Sequence, residues 1–538
     1  MRGSIGARAR PRDTRVVCRF GVFAPLAFLL LLPFTVALYA SNETAAAHSD
    51  KGLQLAQTGD LAGAETEMRA AVALASQNPE FLTNLATVLA MEKKLDDSSA
   101  IFERSLKLAP ANLTARRYLA ANLWQLHRYS EAKRNLEIIL KQQSNDAPSR
   151  LLLGMVSENM GDYATAVRML ASVPAEVRKQ PESIAALAVS YYHLRQTQQA
   201  RLTLDLLRNH PAGPRAALLA AHVADEGGDY PTAEQFLLSI QPDYPDQADL
   251  GYRLASVQFH AQEFQNSEHT LLQLTQSGNR TGRILNLLGW CYHKQNQSEK
   301  AMRAFEDAIS VQPDDESNYL DLQKVLLASN RLPAALEVAK RTTDALPKSS
   351  RAFVMRGSIE MKTSQFTNAI ASYRVAQGLD SGSPDSALGL ADAEFAAGMA
   401  KEAHGAYEAG IQRFPDDARF KVHYAFVLVK EAESGDPQLE ARAESLLKSA
   451  LKLDSSSVEA YTELGELALK NGRIADAQRD YEAAEKIDPN NAKVHFGLSK
   501  VYRRLGKVEE ASHEAKLFQQ LEQSKSTATL PPTERPQN

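Results

Sequence analysis

Ser130 precedes Lys133 by three residues, and Ser445 precedes Lys448 by the same interval. That is the spacing at which a lysine amine can take the proton of a serine nucleophile in acyl transfer. Cys291 has His293 two positions on, a thiol and a base that would make a nucleophilic pair if their side chains met. His193, His222, His260 and His293 form a third set, four imidazoles that could hold zinc if they lay on neighbouring helices. Each set is incomplete. The Ser-x-x-Lys pairs lack the companion motifs of that enzyme class, residues two apart on a helix point to different sides, and the histidines have no carboxylate or thiol cluster at ligand spacing. Phosphate-binding G-x-x-x-x-G-K-[ST], G-x-G-x-x-G, C-x-x-C, H-E-x-x-H and G-x-S-x-G patterns are missing from the 538 residues. Neither a cofactor nor a resident metal is expected, and the chain reads as non-enzymatic.

The elements that would carry these residues follow one period. Small residues recur at Gly52, Ala86, Ala120, Gly154, Ala188, Ala221, Ala255, Gly289, Gln323, Gly357, Ala391, Ala425, Gly465 and Ser499. All steps are 34 but one of 33 and one of 40, and Gln323 is the one large residue. A second series, Ala64, Ser98, Ala132, Ala166, Ala200, Ala233, Ser267, Ala301, Ala335, Ala369, Ala403, Ala443, Ala477 and Ala511, keeps the same period and the same two irregularities. The two series lie 12 apart except in the twelfth repeat, where residues 433–440 enlarge the turn. A fixed period of this length marks a repeat array rather than the several globular domains that chain length alone suggests.

Two antiparallel helices whose axes approach closely account for the spacing. A Gly or Ala on each contact face lets the backbones nest. A large apolar residue four places after the second small one fills the space beside it, as at Phe102, Leu136, Leu204, Phe305, Tyr373, Tyr407 and Tyr481. Pro110, Pro245, Pro313, Pro347, Pro415 and Pro489 close their repeats, since a missing N–H stops a helix. Pro231 and Pro333 fall in the first turn of a second helix, where proline is tolerated. Gln323 in the ninth repeat is expected to splay its helix pair.

On these residues the chain resembles the tetratricopeptide repeat family over about residues 45–523. The eighth repeat carries the pattern best, with Leu288, Gly289, Tyr292, Asn296, Ala301, Phe305, Ala308 and Pro313 in place. The thirteenth follows with Leu464, Gly465, Gly472, Ala477, Tyr481, Ala484 and Pro489. The resemblance implies an all-α solenoid of about fourteen helix-turn-helix repeats wound into a right-handed superhelix, with first helices lining a concave groove that holds a peptide or partner protein. Carried onto this sequence, the groove positions of repeats five to eight are Tyr192, His193, His222, Asp225, Tyr252, Phe259, His260, Trp290, His293 and Lys294. Aromatics there stand out in a chain that is 7% aromatic, because Trp and Tyr dominate binding hot spots. The competing reading has these rings packed between repeats. The paired Lys and Asn of chaperone-tail clamps are missing, and no alternating strand and helix pattern leaves room for a catalytic domain.

The ends differ from the body. Six arginines against Asp13 precede an uncharged run over residues 20–40, which reads as a signal for the general secretory route. Its length favours an uncleaved membrane anchor; cleavage after Ala40 would release a soluble periplasmic or secreted protein. Either way the repeats, residues 41–523, are expected outside the cytoplasm. Residues 1–40 carry a net +5, so the formal −4 of the whole chain leaves −9 on the remainder, and an even acidic body excludes nucleic acid as partner. Cys18 and Cys291 are the two cysteines, too few for a disulfide framework. Residues 524–538 are polar and proline-rich and are expected to be a disordered tail. The sequence thus points to a scaffold for a protein or peptide. Two alternatives share the fold: an accessory subunit of an envelope polysaccharide or protein secretion machine, and a self-associating structural solenoid.

Overall fold

The computed structural model describes residues 40–242, 244–432 and 436–529, with side chains from 44 to 523. The apolar run before residue 40 and the last nine residues of the tail lie outside these. The chain forms two compact bodies that divide between Ala200 and Arg201. Among the described residues there is no strand, and helices pair in sequence from Ala40–Thr58 with Leu61–Leu74 to Ala492–Arg504 with Val508–Thr529. Fourteen such pairs follow one another, as the two small-residue series require.

Those small residues sit where the helices touch. Every member of the second series from Ala64 to Ala477 is completely buried, and Ala511 is nearly so. At four glycines of the first series the reason for having no Cβ is direct. A Cβ at Gly289 would lie 2.8 Å from the Phe305 ring, at Gly357 and Gly465 2.9 Å from Tyr373 and Tyr481, and at Gly154 2.5 Å from Leu170. Each partner is the large residue four places after the second small one. In the ninth repeat Gln323 does lie between the helices, fully buried. Its Nε2 donates to Thr342 Oγ1 at 2.7 Å, while its Oε1 has no partner. The pair has taken in a whole glutamine yet still closes over Leu322, Val325, Ala335 and Ala339.

Two backbone devices recur at the same period. Ten first helices begin on a side-chain cap: Asn78, Asn112, Asp146, Asp246, Asp315, Ser349, Ser383, Asp417, Ser457 and Asn491 each accept a bond from an N–H two or three residues on. The turn into the second helix instead uses a left-handed residue. Gly59, Lys93, His127, Gly161, Arg195, Gly228, Gln262, Asn296, Asn330, Ser364, Gly398, Gly472 and Gly506 all have positive φ. The N–H that follows reaches back five residues, as from Lys94 to Leu89 at 2.9 Å and from Arg331 to Leu326 at 2.8 Å, which closes the first helix in a Schellman turn. Seven of these positions carry a side chain and so hold an unfavourable conformation at a cost of roughly 1 kcal/mol each.

Three departures have local causes. Pro174 falls where the second helix of repeat four would continue, so that helix stops at Leu170 and the chain restarts as Pro174–Val177. The 33-residue step falls in repeat five, whose second helix, Thr197–Leu204, passes into a 3-10 turn over Asp205–Leu207. The enlarged turn of repeat twelve is shared out. Asp436 caps a helix that starts at Pro437 and runs 17 residues to Leu453, so part of the insertion lengthens the helix rather than the loop. The last helix extends to Thr529, into the first residues of the tail expected to be disordered. No described helix is long and apolar enough to cross a membrane.

Candidate functional site

The residues flagged for chemistry are engaged elsewhere. Lys133 Nζ donates to Asp162 at 3.1 Å and Lys448 Nζ to Glu444 at 2.7 Å, leaving Ser130 and Ser445 exposed on their helices. Cys291 is buried, its Sγ 3.2 Å from Ser267 Oγ. Burial pushes its thiol up to about 11, so it is a packing residue and not a nucleophile. His222, His260 and His293 are not drawn together as ligands. Among the described residues, the grouping close enough to hold an ion is Glu485, His495 and Glu514, where His495 already bonds through both ring nitrogens.

The ten proposed groove residues divide between the two bodies. In the first, Tyr192 is half-buried, and His193 is exposed and stacks on Tyr163 with ring centroids 3.9 Å apart and planes 4° from parallel. The other eight lie on three consecutive first helices of the second body, Pro214–Glu226, Gln247–His260 and Gly282–Lys294. Side chains about one period apart bridge these helices on one face. His260 Nδ1 donates to Asp225 at 2.9 Å. Arg283 reaches Asp249 at 3.4 Å and lies over the Tyr252 ring at 4.6 Å. Trp290 Nε1 and Asn286 Nδ2 both donate to Asp321 Oδ2 at 3.1 Å, extending the row to the helix Glu316–Ala328. Asp321 and Arg283 are not among the groove positions read from the sequence; each lies 31 residues after one that is, Trp290 and Tyr252.

Burial sorts these side chains. His222, His260 and Lys294 are exposed, and His222 meets only Glu226 of its own helix, at 3.5 Å. Trp290 is half-buried: its ring packs edge-on against Phe305 at 5.6 Å and His293 at 5.5 Å, and it adjoins the core that contains Phe305, Tyr319 and Leu322. Phe259 packs on Phe264 at 5.3 Å and, with Tyr252, borders the core around Leu271 and Leu288. These rings are therefore only part exposed and also pack against the cores of their repeats, as the competing reading had it. Electrostatics separate the histidines. The Asp225 hydrogen bond outweighs burial and holds His260 above the ordinary imidazole range, whereas burial, aided by Lys294, pushes His293 down.

Models of the tetratricopeptide repeat match residues 49–113, 185–248, 320–384, 441–477 and 462–515, and a further one matches 282–315. Together they cover more than half of the chain. It belongs to the tetratricopeptide repeat family. No curated protein matches it. Among solved structures it is similar to yeast Tom70, at 15% identity over 91% of this chain and 95% of that one, TM-score 0.40. It is similar as well to Naa15/Naa10 bound to HypK-THB, at 12% identity, 92% and 94% coverage and TM-score 0.37. The APC/C hetero-tetramer Cut9-Hcn1 gives 12%, 85% and 96%, and 0.35. As a tetratricopeptide repeat protein the chain is a protein-interaction scaffold.

Proposed function

We propose that this tetratricopeptide repeat protein holds a partner protein or peptide against the first-helix face of repeats six to eight, without chemistry of its own. The observation that carries this reading is the row from His222 to Lys294, where half-buried rings expose an edge beside cationic and imidazole groups. Such an edge supplies desolvation energy, and the ladder Asp225–His260, Asp249–Arg283 and Asp321–Trp290 holds the rings in place before a partner arrives. Tyr192 and His193, which lie in the other body, are proposed separately as binding positions of repeat five.

A photo-crosslinking residue placed at His222 or Lys294, both exposed, is expected to capture the partner, whereas the same residue at the exposed Leu238 or Val311 of second helices is not. Adducts at 238 and 311 alone would place the partner on the other side. We further propose that residues 20–40 carry the repeats out of the cytoplasm and anchor them, since six arginines precede an apolar run of membrane length. Protease added to spheroplasts should then digest the repeats; a mature N-terminus at Ser41 would replace the anchor by a cleaved signal, and full protection would reject export.

A further inference from the structure

The first helix of the last repeat, Ala492–Arg504, carries Lys493, Lys500, Arg503 and Arg504 and no acid, although the residues after 40 are net negative. These four cations and Phe496 lie at i, i+3, i+7, i+10 and i+11, one face of a helix, and all five are exposed. Two of the cations have structural duties. Lys493 bonds Glu463 at 2.7 Å and pairs with Glu466 at 3.4 Å, and Arg504 donates to the Leu469 carbonyl at 2.8 Å. Lys500 and Arg503 have no carboxylate partner among the described residues; some cations of this body, such as Arg419, Arg442 and Arg473, are matched with acids, while others, such as Lys452 and Lys486, are not, and what sets Lys500 and Arg503 apart is their place on one face with an exposed ring. The Lys500 ammonium lies 4.0 Å from the Phe496 ring centroid, and the ring, 42% exposed, is backed by Phe518 at 5.1 Å. A cation at the end of a helix is explained by the helix dipole, which accounts for Arg503; Lys500 over an exposed ring a turn earlier is not explained that way. The acids of the preceding first helix that face this stripe, Glu463 and Glu466, are taken up by Lys493.

We propose that the stripe Phe496, Lys500 and Arg503 docks an acidic segment of a partner protein, one that brings an apolar side chain to Phe496. Unmatched positive charge selects an acidic segment by steering and by the cost of bringing a like charge. The ring, already held from behind by Phe518, gives the contact an apolar anchor that an inorganic anion or a phosphate backbone would leave unused. This surface is separate from the face of repeats six to eight, and either assignment can fail without the other.

The test uses the full chain in detergent and a fluorescent peptide repeating Asp-Glu-Phe-Glu, followed by anisotropy. Saturable binding is expected that falls at least tenfold in Lys500→Gln/Arg503→Gln and severalfold in Phe496→Ala. Reversal of the exposed second-helix cations Lys452 and Lys486 should leave it unchanged, and a Lys-Arg-Phe-Lys repeat should not bind. Because the three stripe residues are exposed, circular dichroism of the variants should match the wild type. The proposal is overturned by lack of saturation, by equal binding to the double variant, or by duplex DNA or anionic vesicles competing as well as the peptide does. It is overturned equally if the peptide binds only a dimer of the chain, which would assign the stripe to self-association.

Discussion

Gly289→Leu is expected to open the eighth repeat while leaving distant repeats folded. A Cβ at this position would sit 2.8–2.9 Å from three carbons of the Phe305 ring, closer than carbon atoms tolerate. Phe305 has nowhere to go: it is completely buried, with Trp290 edge-on against it and Met302, Ile309 and Tyr319 in the same core. Overpacking of this kind costs about 1–3 kcal/mol, and more where the neighbour is a rigid ring. Gly289→Ala should cost less, because the roughly 1 kcal/mol gained in helix propensity offsets part of the clash, and Gly289→Ala/Phe305→Leu should recover most of the loss. In a repeat array stability is close to a sum of repeat and interface terms, so hydrogen exchange should accelerate over residues 282–311 and the adjoining repeats. Equal acceleration in all repeats would mean that the array unfolds as one unit.

The second large effect concerns the other end of the array, where the last helix is fastened by a buried imidazole. His495 Nε2 donates to the Pro489 carbonyl at 2.9 Å, so that nitrogen is protonated, and Nδ1 lies 2.6 Å from Glu514 Oε2. His495 is 2% exposed. One proton must sit between Nδ1 and the carboxylate, or two lone pairs face each other out of water. Burial alone would discharge the ring, but the Glu514 carboxylate, the Pro489 carbonyl and nearby Glu485 outweigh it and hold His495 above its ordinary range. A histidine raised on folding stabilises fully below its unfolded value of about 6.5, and that contribution is lost as pH rises through the folded value. The slowest-exchanging amides of residues 508–521 should therefore open more readily, after correction for intrinsic exchange, as pH rises from about 6.5 toward 9. Burial together with Glu514 raises Glu485 above the ordinary carboxylate range, and Tyr502, pushed up to about 12, titrates above this window; His513 and Glu482 are the other titratable groups near the site. His495→Leu should remove the pH dependence and, by leaving Glu514 buried without its partner, cost about 3 kcal/mol locally. A helix equally protected across this range in wild type would rule the shared proton out.

Part of the candidate site was legible because a repeat converts distance in space into distance in sequence. Residues one period apart face each other on neighbouring first helices, so Asp249 with Arg283, Asp225 with His260 and Asp385 with Arg419 could have been read as pairs 34 or 35 apart. The aromatic positions came instead from the family's groove positions carried onto the sequence, and how the rings pack did not come with them. Whether Trp290 stands in solvent or leans on Phe305 depends on a rotamer and on the room left by the next repeat, where Asp321 waits for the indole N–H. Cys291 beside His293 shows the opposite case, since helical geometry alone separates the two side chains and the structure adds only the burial that makes the thiol inert.

The number and pairing of the helices were determined by the sequence itself, because a small residue every 34 positions is a steric requirement that only close helix pairs satisfy. Even the left-handed turns leave a trace there, in Gly, Asn, Ser and long polar residues at the same period. What the tertiary structure alone decided is where the pattern bends without breaking. Pro174 cuts one helix into two, the repeat-twelve insertion is divided between loop and helix, and Gln323 is accommodated by a hydroxyl of the facing helix. It decided as well which cations meet a carboxylate, as Lys493 does, and which, like Lys500, meet an aromatic ring instead. Those outcomes depend on neighbours a full repeat away, whose contacts are set by packing and not by any local propensity.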